Sequence, residues 1–267
     1  MGCAGIPSHI ITFCSGRAGI GKSTTLANLA IAAHDRGISC LLWDANPMAP
    51  SLHTLFGLTP IATASDSYLG NARIESIAIR LRPGLWLVPE RAQNGESEPR
   101  LGASLHNLLR SLCEGLRPDL VLIDTAAGWS DSVAAACQIA TTCCILMSDD
   151  IGSILDAYVL LKALFSDRNT GQSHRTGLVA TKIVEESDAQ SIAVKLNAAT
   201  QRFLRQRFPL FGAIPYDPRH REALLQQRLF VEAFPHTPTS RAYHQLVHTL
   251  VTASPTVSYA TTSHIQP

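Results

Sequence analysis

Gly16-Arg17-Ala18-Gly19-Ile20-Gly21-Lys22-Ser23 follows, after Ser15, the apolar run His9-Ile10-Ile11-Thr12-Phe13-Cys14. The octet is a complete G-x4-G-K-[ST] phosphate loop, set between a buried strand and a helix. The spacing has a physical cause. Glycines let successive backbone N–H groups curl around a di- or triphosphate, and the helix that follows adds its positive N-terminal end. Lys22 reaches the β- and γ-phosphates, and the Ser23 hydroxyl is the magnesium ligand such a loop supplies. Leu26, Leu29, Ala30 and Ala33 then repeat at helical spacing up to Gly37. Residues 16–24, closing with Thr24, are therefore the expected phosphate cradle.

Outward from this loop, the chain alternates short apolar runs with helical patterns, which predicts an α/β fold with a mostly parallel sheet and helices on both faces. Strands are expected at Cys40–Trp43, Leu85–Pro89, Asp119–Asp124, 142–147, 177–183 and 210–214, and a helix over 103–116. Residues 59–80 carry little pattern, and 91–102 read as an exposed loop. One P-loop domain is expected over residues 1–251. The tail 252–267, with Ser, Thr and Pro but no Lys or Arg, is expected to fray.

The 267 residues are 46% hydrophobic and 16% charged, which suits a large buried sheet and argues against disorder. A net charge of +1 gives no general attraction to nucleic acid. The seven cysteines form no metal-binding spacing and sit mostly in apolar runs, as reduced thiols of a cytoplasmic protein do. Met1–Ile11 lacks the pattern of a signal peptide, and no apolar run is long enough to span a membrane.

Asp124 ends the run Leu120-Val121-Leu122-Ile123. A carboxylate at the tip of a buried strand near a phosphate loop holds Mg2+ or its water shell. Thr125-Ala126-Ala127-Gly128 is small enough to move as a γ-phosphate comes or goes. Together with Asp44-Ala45-Asn46, the loop and the Asp124 segment resemble the three nucleotide motifs of the MinD/ParA group of P-loop ATPases. Ser148-Asp149-Asp150, followed by Asp156-Ala157-Tyr158 and Leu161-Lys162, is similar to a further stretch of that group. Gly212-Ala213-Ile214-Pro215-Tyr216-Asp217-Pro218, with Arg221-Glu222-Ala223, Ala233-Phe234-Pro235 and Ser240-Arg241-Ala242, resembles the C-terminal signature of its FlhG (FleN) branch, the flagellar-number regulators.

The resemblance implies an ATP- and Mg2+-dependent switch. Two ATP-bound copies would meet face to face, hydrolysis would separate them, and a regulatory protein would read the state. It assigns adenine contacts to Thr181, Lys182, Pro215, Tyr216 and Asp217. It also makes Arg17 the counterpart of a lysine that touches the partner's phosphates, with Ala18 where a glycine is usual. Arg keeps the charge but differs from Lys in shape and hydration. Ala18 carries a cost only if its φ must be positive. Asn46 stands where the group has a second carboxylate that positions and activates water. An amide cannot accept that proton, so slow hydrolysis is expected. Asp44 is expected to point to the opposite face.

Only about eight residues precede the first strand, so the branch's N-terminal extension is not expected. The tail lacks the charge and apolar stripe of a membrane-binding helix, which argues against membrane contact. The basic residues between Lys195 and Arg228 read as a solvated face rather than a DNA contact, in a chain whose net charge is near zero. His244 and His248 share helical spacing with no third metal ligand. A non-hydrolysing nucleotide-dependent binding protein that sequesters a regulator stays open as an alternative, and a small-molecule kinase would need an acceptor site and an Arg-rich lid that the sequence does not offer.

Overall fold

Each long apolar run becomes a strand of one eight-stranded sheet. The computed structural model describes residues 9–92, 101–166 and 175–252. In chain order the elements are β1 (His9–Ser15), α1 (Lys22–His34), β2 (Cys40–Ala45), α2 (Leu52–Leu55), α3 (Ala64–Tyr68), α4 (Ile74–Ile77), β3 (Ile79–Arg82), β4 (Leu85–Val88), α5 (Leu101–Leu116), β5 (Leu120–Ala127), α6 (Asp131–Ile139), β6 (Thr142–Met147), α7 (Ile151–Ser166), β7 (Arg175–Ile183), α8 (Glu186–Phe203), β8 (Leu210–Pro215), α9 (Arg219–Leu225), α10 (Phe230–Ala233) and α11 (Pro238–Thr252). The strands lie in the order β3-β4-β2-β5-β1-β6-β7-β8. All neighbours run parallel except the β3–β4 pair.

Strand alternation sorts side chains to two faces. Ile11 and Phe13 of β1 point to the layer of α1 and α11, where Leu26, Leu29, Tyr243 and Leu246 are buried. Thr12 and Cys14 point the other way, to α6: the Thr12 hydroxyl donates to the Ala136 carbonyl at 2.9 Å, and the Cys14 and Cys137 sulfurs lie 3.6 Å apart. Leu105, Leu108, Leu109 and Leu112 of α5 cover Leu41, Trp43, Val121 and Ile123 on that same side. Helices on both faces explain why the central strands are apolar throughout rather than alternating.

The stretch 59–80 is more ordered than its sequence suggests. It holds α3, α4 and the start of β3, elements of four or five residues that are too short to show a period. Their order comes from tertiary contact: Ala64 and Ile77 are fully buried. Strand β5 continues through Thr125 and Ala126 to Ala127, so the segment expected to be flexible is paired strand up to Gly128, whose φ is +81°. The expected tail lies outside the described residues, apart from Thr252, which still belongs to α11.

Candidate nucleotide site

The strands β1, β2, β5, β6, β7 and β8 all end at one edge, and the phosphate loop leaves β1 there, at the centre of the sheet. Gly19 (φ +77°) and Gly21 (φ +91°) adopt the left-handed backbone that curls the loop, and Gly21 caps α1. Gly16 is glycine for a different reason. A Cβ there would come within 2.4 Å of the Asp156 backbone carbonyl, because α7 passes over the loop. Ala18 is absent from the positive-φ positions, so its methyl group costs nothing. Ser23 and Thr24 sit half-buried in the first turn of α1.

Lys22 is 8% exposed, and its Nζ donates to Asp124 Oδ1 at 2.5 Å and to the Thr125 carbonyl. Asp124 is fully buried, and its Oδ2 has no hydrogen-bond partner. An orphaned carboxylate oxygen beneath a phosphate loop fits a hard cation or one of its waters. The donor set therefore suits a nucleoside triphosphate with Mg2+: loop amides and Lys22 for phosphate oxygens, Ser23 and Asp124 for the ion. Bound there, the ion would neutralise charge on the β- and γ-phosphate oxygens.

Asp44 corrects an expectation. It pairs in register with Asp124 on the adjacent strand, so both carboxylates project to the same side. Residues two apart on an extended strand share a face, and the opposite-face reading fails on that count. Asp44 is fully buried, and burial, followed by the Asp124 charge, pushes its carboxyl up to about 7. The backbone N–H groups of Ser51 and Leu52 donate to its Oδ2, and that of Asn46 to its Oδ1, at 2.9–3.2 Å. Asp44 thus fixes the segment between β2 and α2. Within that segment Asn46 is 9% exposed, and Ala49 engages both ends of its amide: Nδ2 donates to the Ala49 carbonyl at 3.0 Å, and Oδ1 accepts from the Ala49 N–H at 3.2 Å.

Arg17 does not point away from its own chain. Its Nε donates to Asp156 at 2.6 Å and its NH1 to Asp150 at 2.9 Å, one partner on α7 and one just before it. Asp150 also accepts from the Ser148 hydroxyl and the Ser153 N–H, and these bonds, with Arg17, hold its carboxyl below the usual range. The sequence marked this segment by resemblance alone, and no local signal reveals the ion pairs.

The expected base-binding residues divide into two sets. The Thr181 hydroxyl donates to the Ile20 carbonyl at 3.0 Å and Lys182 Nζ to the Gly19 carbonyl at 2.7 Å, so the end of β7 is fastened to the loop. Lys182 takes φ +58° to do this. Pro215 and the exposed Tyr216 lie beside Ile183 at the end of β8. The Asp217 carboxylate is engaged by Arg219 through two nitrogens, at 2.9 and 2.7 Å, which holds its pKa low. The Thr181 hydroxyl and the Asp217 carboxylate are therefore already engaged within the chain.

A sheet whose central strand feeds a glycine loop and a helix N-terminus, with a buried Lys–Asp pair beneath, defines a P-loop nucleotide-binding domain. The family of CobQ/CobB/MinD/ParA nucleotide binding domains matches residues 11–230, and the chain belongs to it. It is 31% identical to the antiactivator FleN of Pseudomonas aeruginosa, over 89% of this chain and 84% of that one. The flagellum site-determining protein YlxH of Helicobacter pylori is 23% identical over 91% of this chain and 82% of its own length. The fold is that of the cell division ATPase MinD of Pyrococcus furiosus, with a TM-score of 0.75 at 22% identity, covering 91% of this chain and 98% of that one. MinD of Pyrococcus horikoshii, solved with Mg-ADP, aligns with a TM-score of 0.74 at 21% identity, covering 91% and 96%. No helix among the described residues is long and apolar enough to cross a membrane.

Proposed function

We propose that this protein is a cytoplasmic ATP-dependent switch that dimerises with ATP bound, hydrolyses it slowly, and controls the number or placement of flagella or a similar assembly through a regulatory partner. The observation that carries this reading is Arg17. A cation beside the loop mouth, in the family's interface position, is held by two carboxylates of its own chain that a partner's phosphates could replace. Both Arg17 contacts are partly solvent-exposed, so each is weak enough to exchange. The flagellar assignment rests on the likeness to FleN and YlxH, and residues 1–251 would act as the switch domain.

Slow turnover follows from Asn46, which has no proton-accepting group and whose amide is already tied to Ala49. The same observation favours a second reading, a nucleotide-dependent binding protein that does not hydrolyse ATP at all. Single-turnover hydrolysis at saturating ATP and Mg2+, set against the ATP dissociation constant, separates the two. Tight binding with measurable conversion to ADP supports the switch, tight binding with none supports the second reading, and no binding overturns both.

A further inference from the structure

Strand β8 closes one side of the sheet, and no described strand lies beyond it. Its sequence, Leu210-Phe211-Gly212-Ala213-Ile214-Pro215, carries none of the charges that usually guard such an edge. A groove of about 1030 Å³ runs along it, walled by α8 on one face of the sheet and α11 on the other. Ile183, Phe211, Ala213 and Leu246 make its floor. The α11 wall carries Arg241, His244 and His248, and Arg36 reaches in from the end of α1. Among the described residues no Asp or Glu lines the groove. Among the described residues the Arg36 side chain hydrogen-bonds the His248 ring, at 3.4 Å, and the Arg241 side chain the His236 carbonyl, at 2.9 Å. Neither guanidinium has a carboxylate partner among the described residues.

We infer that β8 is a docking edge for an extended acidic segment of a partner protein, which adds to the sheet as a further strand. The strand offers up to about 20 Å of edge, irregular around Phe211 and ending in Pro215, which has no N–H, and main-chain bonds along Leu210–Ile214 supply affinity that needs no particular side chains. Alternation then sets the recognised pattern. Side chains facing α11 meet Arg36, Arg241, His244 and His248, and must be acidic. Those facing α8 meet Ala189 and Gln190 and suit small aliphatic groups. A nucleic acid fits worse, because it needs stacking rings, and Phe211, the groove's aromatic residue, is covered by the Arg175 guanidinium at 4.1 Å. Of these residues Pro215, at the end of β8, is also an expected base contact; the Arg36, Arg241, His244 and His248 wall that selects the partner is not part of the nucleotide site, so the inference does not depend on the ATPase reading.

The test uses the full chain and a fluorescein-labelled peptide of alternating glutamate and valine long enough to span β8. Fluorescence anisotropy should show saturable binding, and amide exchange at Leu210–Ile214 should slow in the complex. Arg36→Glu combined with Arg241→Glu, both on the surface, should weaken binding by at least about ten-fold while leaving ATP affinity unchanged. The inference is overturned by no saturable binding up to about 1 mM, by equal binding of a lysine–valine peptide, by unchanged exchange along β8, or by binding that survives the charge reversal. A labelled DNA duplex that competes for the groove would overturn the choice of a protein partner.

Discussion

Lys22 and Asp124 neutralise one another where water does not reach, so neither can be removed without consequence for the other. In Lys22→Ala the carboxylate stays buried without its cation, a change that costs about 3–5 kcal/mol when a buried pair is broken. The variant should lose ATP binding, measured by calorimetric titration, and should also melt at a lower temperature than the wild type. Adding Asp124→Asn should restore part of the melting temperature but none of the binding. Retained ATP affinity in Lys22→Ala would show that the phosphate site is elsewhere. Asn46 supplies a second prediction. Asn46→Asp keeps the size and the bond from the Ala49 N–H but loses the donor to the Ala49 carbonyl, which frees a carboxylate in the segment that Asp44 anchors. Single-turnover hydrolysis should rise about ten-fold or more. A wild-type rate already typical of the family, with no gain in the variant, would remove Asn46 from the account.

The start of α7 does more than pack. It lies close enough over the loop to exclude a side chain at position 16, and Asp156 on it and Asp150 just before it hold Arg17. Arg17→Ala should therefore bind a non-hydrolysable ATP analogue as a single chain and fail to pair, whereas normal pairing would exclude a role for Arg17 across the interface. On the far side of the sheet, α9, α10 and α11 meet around His220, whose ring stacks on Phe230 at 4.1 Å. Its Nδ1 donates to the Asp217 carbonyl at 3.1 Å, and its Nε2 lies 3.2 Å from the Tyr243 hydroxyl. Burial is the main cause that holds its pKa below the usual 6.5. The unfolded chain then takes up the proton first as pH falls. His220 contributes its full stability above about pH 6.5 and loses it progressively below, toward its own lower pKa. Chemical denaturation at pH values on either side of 6.5 should show a larger loss for the wild type than for His220→Gln. Equal losses would mean that the ring titrates as it does in water.

At the scale of the molecule, the sheet was legible wherever a strand is buried on both faces, because such strands are continuous apolar runs. Edge strand β3, Ile79-Arg80-Leu81-Arg82, pairs on one side only and mixes charge with apolar residues, so it left no signature. The loop, Lys22 and Asp124 were legible because phosphate chemistry fixes their types and local spacing. The hold on Arg17 was not, since its partners lie more than a hundred residues away and meet it only through the fold. Asp44 was misplaced although the strand's period of two contains the answer. What the whole molecule adds to these parts is a nucleotide edge with a cation at its mouth, and the central claim is that ATP closes two such edges together. Size-exclusion chromatography with light scattering tests it directly, in three states: nucleotide-free, with Mg-ADP, and with Mg2+ and a non-hydrolysable ATP analogue. The account predicts the single-chain mass of 28.8 kDa in the first two and twice that mass in the third. The same mass in all three states would contradict it.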